Sequence, residues 1–365
     1  MRKKFKKYMH NRYFYLNSIG VSLEENEYSI NHKAPELTTE EIAEIKSKWY
    51  GICKDLKIGF SGFKGYKLNY GFNAEYVPFA YFFPWMVRIL TPIDVARVFA
   101  NKGMTYNYFH TIKQPELVVR KINNCILDKK GNVLTSDQMI ETIQKYEHNM
   151  IVKQSSGSYC GLSIKFIGMN ENPEKIKEIT DSYKGDFIVQ RILKQSAYTA
   201  QFNESSLNTF RISTLLLNGK FSICTAMLRF GSPGSIVDNI GAGGGCVGIN
   251  DDGTFMPYGF HKSGKKITSS NGIQFQGCKI PQFEKVIETA RKAHYNIPLC
   301  SFVGWDLAID ENGEVNLIEA NLEAPGLFFE QLANARPVFR ERFAEVMNYI
   351  KEHPLPLTPM YDATN

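Results

Sequence analysis

The stretch that decides the fold is FVGWDLAIDENGEVNLIEANLEAPG, residues 302–326, in which two runs of alternating character flank Asn312-Gly313. An Asn-Gly pair in this setting is the strongest short-range signal for a hairpin with a two-residue turn. The sequence therefore predicts two antiparallel strands that bury one face and leave the other face polar. The predicted core face carries Trp305, Leu307, Ile309, Ile318 and Ala320.

The polar face of this hairpin carries two carboxylates and an amide. If Glu311 pairs with Glu314 across the turn, Asp306 lies directly opposite Glu319, and Asn321 follows on the same face. Opposed carboxylates about 5 Å apart repel each other, and a divalent cation between them removes that conflict. Oxygen ligands without His or Cys favour Mg²⁺. We therefore predict that Asp306, Glu319 and Asn321 bind a metal; the alternative is acids that point separately into water.

The rest of the chain has the pattern of an α+β protein without internal repeats. Asn218-Gly219 predicts a second hairpin inside 209–231, and residues 129–132 are predicted to join a strand pair. Capping residues and amphipathic spacing predict the helices. They are expected at 38–56, from Thr135 to about Tyr146, from Asn172-Pro173, at 281–295 and at 337–351.

Composition limits the function classes. The 365 residues are 43% hydrophobic and 22% charged, which is typical of a globular protein with more than one lobe. We expect no membrane span, because no apolar run approaches about 18 residues. The seven scattered cysteines lack a C-x-x-C pair, which favours neither disulfides nor zinc and predicts a cytoplasmic protein.

The net charge of +6 is concentrated at the N-terminus, where five of the first seven residues are basic. A solvated terminus explains this pattern, and weak contact with an anionic membrane surface is the alternative. We expect no nucleic-acid partner.

Two glycine-rich motifs imitate known phosphate loops. GAGGGC, 241–246, begins like a dinucleotide fingerprint, but Cys246 replaces the third glycine and no βαβ unit surrounds it. We interpret it as a flexible loop that closes over substrate. GFHKSGKK, 259–266, is not a Walker loop, because Lys266 stands where Ser or Thr must contact magnesium.

Three residues are candidates for transition-state stabilisation. Arg211 lies on a predicted central strand, where its planar charge can stabilise a negatively charged group. The alternative is a structural ion pair. Arg229 and Lys262 are further catalytic candidates, with a solvated surface position as the alternative for each.

The order Asp, then Glu-x-Asn, then Pro-Gly resembles the magnesium end of ATP-grasp enzymes. Asp306, Glu319, Asn321 and Pro325-Gly326 match it position by position. The resemblance implies that Mg²⁺, or Mn²⁺ in its place, is held here together with ATP.

Upstream motifs extend the resemblance to the nucleotide site. Lys153 resembles the lysine that precedes the small glycine-rich loop over the phosphates, and Lys102 resembles the earlier ATP-binding lysine. Asn101 departs from the pattern, since an aspartate usually precedes that lysine. FIVQRIL, 187–193, resembles the hinge strand whose backbone meets adenine. The implied nucleotide-binding residues are Lys102, Lys153, Ser155, Ser156, Gly157, Gly161, Gln190, Arg191, Ile192, Leu193, Asp238 and Asn239.

A narrower likeness covers about residues 95–350. LNTFRIST (207–214), VDNIGAGGG (237–245) and VGWDLAI (303–309) resemble the sugar-transfer-associated ATP-grasp family and related teichuronopeptide-type proteins. The implied ATP-grasp fold holds the nucleotide between two β-rich lobes. We assign the small lobe with its glycine-rich loop to 93–195, and the large lobe with the metal site to 196–352. Residues 1–92 form a helical, aromatic-rich region expected on the substrate side, and 353–365 form a tail.

The family resemblance implies an ATP-dependent ligase that activates a carboxylate as an acyl phosphate and joins it to an amine. Its substrates are expected to be small or glycan-linked, in surface polysaccharide or envelope synthesis. Nothing in the metal or nucleotide motifs distinguishes this activity from phosphorylation of a hydroxyl. A non-catalytic nucleotide-binding protein is the third alternative.

Overall fold

The computed structural model describes Glu25 and residues 28–49, 59–156 and 164–354. The basic N-terminal tip lies outside these residues. So do Gly157 and Gly161 of the predicted phosphate loop, and the end of the helix predicted at 38–56.

Helices cover most of the N-terminal part and flank two sheets. In the described chain, no helix is both long enough and apolar enough to cross a bilayer. The α-helices are α1 (Thr39–Trp49), α2 (Ser61–Tyr70), α3 (Phe79–Tyr81), α4 (Val87–Leu90), α5 (Ile93–Phe99), α6 (Thr105–Tyr108), α7 (Ser136–Gln144), α8 (Pro173–Asp181), α9 (Ala197–Ala200), α10 (Phe283–Tyr295), α11 (Phe328–Asn334) and α12 (Phe343–Glu352).

Helix starts agree with the capping signals in the sequence. Thr135 and Gln138 form the predicted capping box of α7, and Asn172 accepts a hydrogen bond from the amide of Glu174 at the start of α8. The final helix begins at Phe343 and not at 337, because a 3₁₀ turn, Arg340–Arg342, precedes it. Helix α11 was not predicted.

The small sheet has six antiparallel strands in the order β3-β2-β1-β6-β4-β5. Helices α7 and α8 pack on one face, where Met150 and Val152 are fully buried. Strand alternation therefore places Lys153 and Gln190 on the opposite face. The strands are β1 (Leu117–Ile122), β2 (Cys125–Asp128), β3 (Val133–Leu134), β4 (Met150–Gln154), β5 (Lys165–Ile167) and β6 (Phe187–Arg191).

The large sheet has seven strands in the order β11-β10-β9-β8-β7-β14-β15. Asn218 and Gly219 both have positive φ (51° and 72°), so the predicted hairpin between β7 and β8 is confirmed. The strands of the large sheet are β7 (Thr209–Leu217), β8 (Lys220–Phe230), β9 (Gly245–Ile249), β10 (Phe255–His261), β11 (Lys266–Ile267), β14 (Phe302–Ile309) and β15 (Val315–Asn321). Strands β12 (Ser269–Ser270) and β13 (Ile273–Gln274) form a separate two-stranded sheet.

The turn between β14 and β15 differs from the predicted one. Ile309 pairs with Val315, and Asp310 and Glu314 close a three-residue loop in which Gly313 has a φ of 78°. The predicted pair of Glu311 and Glu314 is therefore wrong. The Asp310 carboxylate explains the longer loop, because it accepts hydrogen bonds from the Asn312 and Glu314 amides at 3.0 Å each.

A register shift then restores the predicted pairing. It occurs between Asp306 and Leu307, and beyond it Asp306 lies opposite Glu319, as predicted. The extra residue is on β15, so Leu317 enters the core in place of Ile318, which is only half-buried. The predicted core position of Ile318 is therefore wrong.

The GAGGGC motif is mainly structural. Gly245 and Cys246 are buried in β9, which pairs with both β8 and β10, so the prediction of a flexible loop is wrong for this half. Only 241–243 are exposed. Farther along β9, a Cβ at Gly248 would lie 2.1 Å from the Ala333 carbonyl oxygen, so glycine permits the close approach of α11.

The large sheet is covered on both faces. Helix α10 packs on one face together with Ala96, Phe109 and Ile112, three residues expected in the small lobe. The other face packs against α11, α12 and the N-terminal module, which we define as residues 28–49 and 59–92. Residues 93–112 thus connect the two sheets.

Gln331 ties the N-terminal module to α11. Its Nε2 donates to the Tyr66 hydroxyl at 2.8 Å and to the Val77 carbonyl at 3.0 Å. Its Oε1 accepts from the amides of Val77 and Val338. The side chain is fully buried, and these bonds use its whole hydrogen-bonding capacity.

Replacement of Gln331 by Met should lower the free energy of unfolding by about 2–4 kcal/mol, because buried partners lose their hydrogen bonds. Chemical denaturation followed by tryptophan fluorescence measures the change. Gln144→Met, at an exposed helix position, is the matched control. Equal stability of the two variants would show that Gln331 does not hold the module in place.

Candidate functional site

Asp306 is the central anion of a buried ion network. Its Oδ1 accepts from Arg211 Nε at 2.6 Å, and its Oδ2 accepts from Arg211 Nη2 at 3.1 Å. Arg229 Nη2 lies 3.0 Å from Oδ2, and Asn321 Nδ2 donates to the same oxygen at 3.1 Å. Burial raises the pKa of Asp306, but the two guanidinium groups outweigh that effect and hold the pKa at about 2.

Arg229 links this network to the loop after β8. Its Nη2 donates to the Thr209 hydroxyl at 2.8 Å and lies 3.4 Å from Asp238 Oδ2. Thr209 also donates to Asp238. Burial raises the pKa of Asp238, and the nearby Arg229 only partly offsets this. The predicted site residues Asp238, Arg211, Arg229 and Asp306 therefore lie together, and both arginines are ion-paired.

Glu319 connects the large sheet to residues anchored on the small sheet. Lys102 Nζ lies 2.8 Å from Glu319 Oε1, and the two side chains are 12% and 31% exposed. The Lys102 amide donates to the carbonyl of Ser155, directly after β4, at 2.9 Å. The predicted nucleotide lysine and the predicted metal ligand thus form an ion pair that joins the small-sheet side to the large sheet.

Lys153 approaches the same carboxylates from β4. Burial lowers its pKa to about 8, Glu319 opposes this effect, and the positive charge of Lys102 adds to it. Asp238 and Asp306 act on the Lys153 ammonium more weakly. Two lysines from the small-sheet side therefore share one electrostatic environment with three carboxylates of the large sheet.

The predicted hinge has part of its backbone already occupied. The Arg191 amide donates to the Glu116 carbonyl and the Ile192 amide donates to Asn149, at 2.9 and 3.0 Å. Within the described residues the Leu193 amide has no such partner. The amides of Arg191 and Ile192 are therefore not free to contact adenine, so fewer of the four predicted residues can offer an amide to it.

Two buried polar atoms of predicted nucleotide-binding residues lack partners in the described part of the chain. They are the Ser155 hydroxyl and the Oε1 atom of Gln190. The Nε2 atom of Gln190 donates to the Tyr106 hydroxyl. Ser156 is exposed at the start of the predicted phosphate loop. Such orphaned buried groups are candidates for ligand contacts.

Lys262 and Asn239 serve local structure. Lys262 is exposed and donates to the Gly241 carbonyl at 2.8 Å. Asn239 Oδ1 accepts from the Gly241 amide at 2.6 Å and caps a 3₁₀ turn. Among the described residues, Lys262 therefore contacts the loop that follows Asp238 and not the charged side chains of the ion network.

The donor set suits a hard cation. Glu319 is partly exposed, and because Asn321 donates through Nδ2, its amide oxygen remains available as a ligand. No group of three or more His, Cys, Asp or Glu side chains is arranged for a metal in the described chain. The predicted carboxylate conflict is relieved by Arg211, Arg229 and Lys102, so repulsion alone does not require a metal.

Glu330 on α11 was missed by sequence reasoning. Its side chain is 6% exposed and Oε1 lies 3.6 Å from Arg211 Nη1. A Cβ at Gly326, which has a φ of 89°, would lie 1.8 Å from that oxygen. Burial raises the pKa of Glu330, and Arg211 opposes this. The sequence feature that could have indicated Glu330 is its position as an acidic residue inside the mainly apolar run LFFEQLA, 327–333.

A model of a known protein family matches most of the chain. Residues 97–348 match the family model described as sugar-transfer-associated ATP-grasp. The chain belongs to this ATP-grasp family. The ATP-grasp fold, with mixed helices and sheets, is thereby confirmed.

Solved structures of three ligases are similar to the chain of this ATP-grasp protein at low identity. The VanG D-Ala:D-Ser ligase from Enterococcus faecalis is 12% identical, covers 69% of this chain and 61% of its own, and has a TM-score of 0.44. D-alanyl-alanine synthetase A from Vibrio cholerae is 12% identical, covers 69% of this chain and 65% of its own, and has a TM-score of 0.42. The ATP-grasp ligase PsnB with minimal precursor, Mg and ADP is 9% identical, covers 70% of this chain and 60% of its own, and has a TM-score of 0.42. The alignments span less than two thirds of those proteins. No curated protein matches the sequence.

Asp306→Asn should destabilise the protein by about 3–5 kcal/mol at pH 7, because two buried guanidinium groups lose their anion. The folded pKa of Asp306, about 2, lies below its unfolded value. The stabilisation is therefore complete above about pH 4 and disappears as the pH falls towards 2.

Denaturation of both proteins at pH 7 and pH 3 measures this effect. Asp137→Asn, at an exposed position on α7, is the control and should change stability by less than about 0.5 kcal/mol. A stability difference between native protein and Asp306→Asn that does not shrink at pH 3 would contradict the ion-network interpretation.

Proposed function

We propose that this protein is a Mg-ATP-dependent ligase that activates a carboxylate as an acyl phosphate and joins it to an amine. The observation that carries the proposal is the contact between Lys102 and Glu319. It brings phosphate-binding chemistry from the small-sheet side to oxygen donors on the large sheet. Family membership supports the same placement of ATP.

Lys102 and Lys153 are the proposed ligands of the nucleotide phosphates. The low pKa of Lys153 supports this role, since an anion placed beside it would stabilise the ammonium. Ser156, Gly157 and Gly161 would supply loop amides over the phosphates. Adenine would lie against the hinge, where the Leu193 amide has no backbone partner among the described residues and can donate.

Glu319, Asn321 and Asp306 would hold Mg²⁺, and Mn²⁺ suits the same oxygen donors. When bound, the metal neutralises charge on the phosphates and on the group being transferred. Glu319 is partly exposed, while Asp306 shares its oxygens with two arginines.

Arg211 and Arg229 are the proposed stabilisers of the transferred phosphoryl group. A substrate carboxylate oxygen attacks the γ-phosphorus, the bond to the β-phosphate oxygen breaks, and ADP leaves. The amine then attacks the acyl carbon, loses a proton, and expels inorganic phosphate. Arg211 has five N–H donors, so it can contact the phosphoryl group while Asp306 holds its orientation.

The substrate classes follow from the family description. Association with sugar transfer supports a small or glycan-linked carboxylate and amine in surface polysaccharide synthesis. We place the reaction in the cytoplasm, where ATP is available. The alternative is a phosphotransferase that acts on a hydroxyl, since the residues that contact the nucleotide do not define the acceptor.

Oxygen-18 transfer tests the reaction type. Cell extract is fractionated for compounds that stimulate ADP formation, and the active carboxylate is then labelled with oxygen-18. A ligase needs both carboxylate and amine and transfers one label into inorganic phosphate. Amide product with unlabelled phosphate would contradict an acyl phosphate, and a phosphorylated alcohol would establish the alternative.

Protonation of Lys153 provides a second test. Its pKa in the free protein is about 8, so ATP binding should take up a proton near pH 8. Affinity should fall by up to about tenfold per pH unit above that value. Calorimetry in buffers of different ionisation enthalpy measures both quantities.

Lys153→Arg is the matched variant, because arginine keeps its charge and should remove most of this pH dependence. A native dissociation constant that stays unchanged between pH 7 and pH 9.5 would show that Lys153 does not contact the phosphates.

A further inference from the structure

Each carboxylate of the proposed metal site already has a cation of the chain beside it. Asp306 accepts two hydrogen bonds from Arg211 and is paired with Arg229. Glu319 is paired with Lys102 at 2.8 Å. These contacts occupy both oxygens of Asp306 and Oε1 of Glu319, so a divalent ion must compete with positive charges inside the site.

We propose that Lys102 is a placeholder cation, which blocks Glu319 to divalent metal until a nucleotide draws the lysine away. The metal then enters together with the nucleotide and not before it. This inference rests on the proposed function, because it assigns Glu319 to the metal and Lys102 to the phosphates.

The charge balance of the site supports this order. The site contains four basic and four acidic side chains, namely Lys102, Lys153, Arg211 and Arg229 against Asp238, Asp306, Glu319 and Glu330. Without nucleotide, the acidic groups therefore do not outnumber the basic groups and give no excess of acids to attract a dication. Bound phosphates add negative charge, so they favour both the release of Lys102 and the arrival of the metal.

The position of Lys102 allows this exchange without backbone movement. Its amide is fixed by the Ser155 carbonyl, directly before the predicted phosphate loop. Its side chain has a flexible four-carbon stem, so the ammonium can turn from Glu319 to a phosphate near Lys153. Lys153 lies two residues before Ser155, whose carbonyl accepts from the Lys102 amide, so the two lysines are neighbours.

Binding of Mn²⁺ to the full chain tests the proposal without any substrate. Electron paramagnetic resonance measures the concentration of free Mn²⁺ during a titration of the protein, with and without ADP. The native protein should bind Mn²⁺ weakly alone and at least about tenfold more tightly with ADP. Lys102→Met should bind Mn²⁺ about tenfold more tightly than native protein in the absence of nucleotide.

Three variants make the outcome specific. Lys102→Arg keeps the cation and should behave as native. Lys129→Met removes a lysine from an exposed ion pair with Glu116 and should change nothing. Adding Glu319→Gln to Lys102→Met should abolish the gained affinity, while circular dichroism confirms that each variant is folded.

Unchanged nucleotide-free Mn²⁺ affinity in Lys102→Met, or a gain that survives Glu319→Gln, would overturn the placeholder role. Equal Mn²⁺ affinity of the native protein with and without bound ADP would also overturn it. Failure of the proposed function looks different: ADP would not bind at any metal concentration, whereas Lys102→Met would still gain Mn²⁺ affinity.

Discussion

The bidentate ion pair between Arg211 and Asp306 is the constraint on which the site depends. Arg211 on β7 and Asp306 on β14 lie directly opposite each other in the sheet, so their side chains join two strands that are already paired through the backbone. Both groups are buried, so neither can lose its partner without a large cost. The pair fixes the orientation of the Arg211 guanidinium, and Asn321 is fixed by the same carboxylate. The rest of the charge network is arranged around this pair.

The N-terminal module and the small sheet complete the surroundings of this pair. The module packs through Gln331 on α11, the helix that brings Glu330 to Arg211. From the other side, the segment before β1 carries Lys102 and is held to the small sheet through Ser155. Helices α5 and α6 pack instead against the large sheet. A nucleotide between the sheets would therefore contact groups from both.

Much of the site was predictable because its residues lie on one hairpin. The opposition of Asp306 and Glu319 was predicted correctly, but for an incomplete reason: a longer turn and a compensating bulge cancel in the register. Asp310 causes the longer turn, and a carboxylate that binds loop amides gives no pattern in hydrophobic periodicity. The contacts of Lys102 and Glu330 are formed between distant segments, so a single sequence without an alignment could suggest the residues but not their partners.

In the proposed arrangement, Mg-nucleotide lies between the lysines of the small-sheet side and the carboxylates of the large sheet. A crystal structure of the full chain with ADP and Mg²⁺ should show the phosphates in contact with the Nζ atoms of Lys102 and Lys153, and the metal held by Glu319. A bound nucleotide elsewhere, with the ion pair of Lys102 and Glu319 intact, would contradict it.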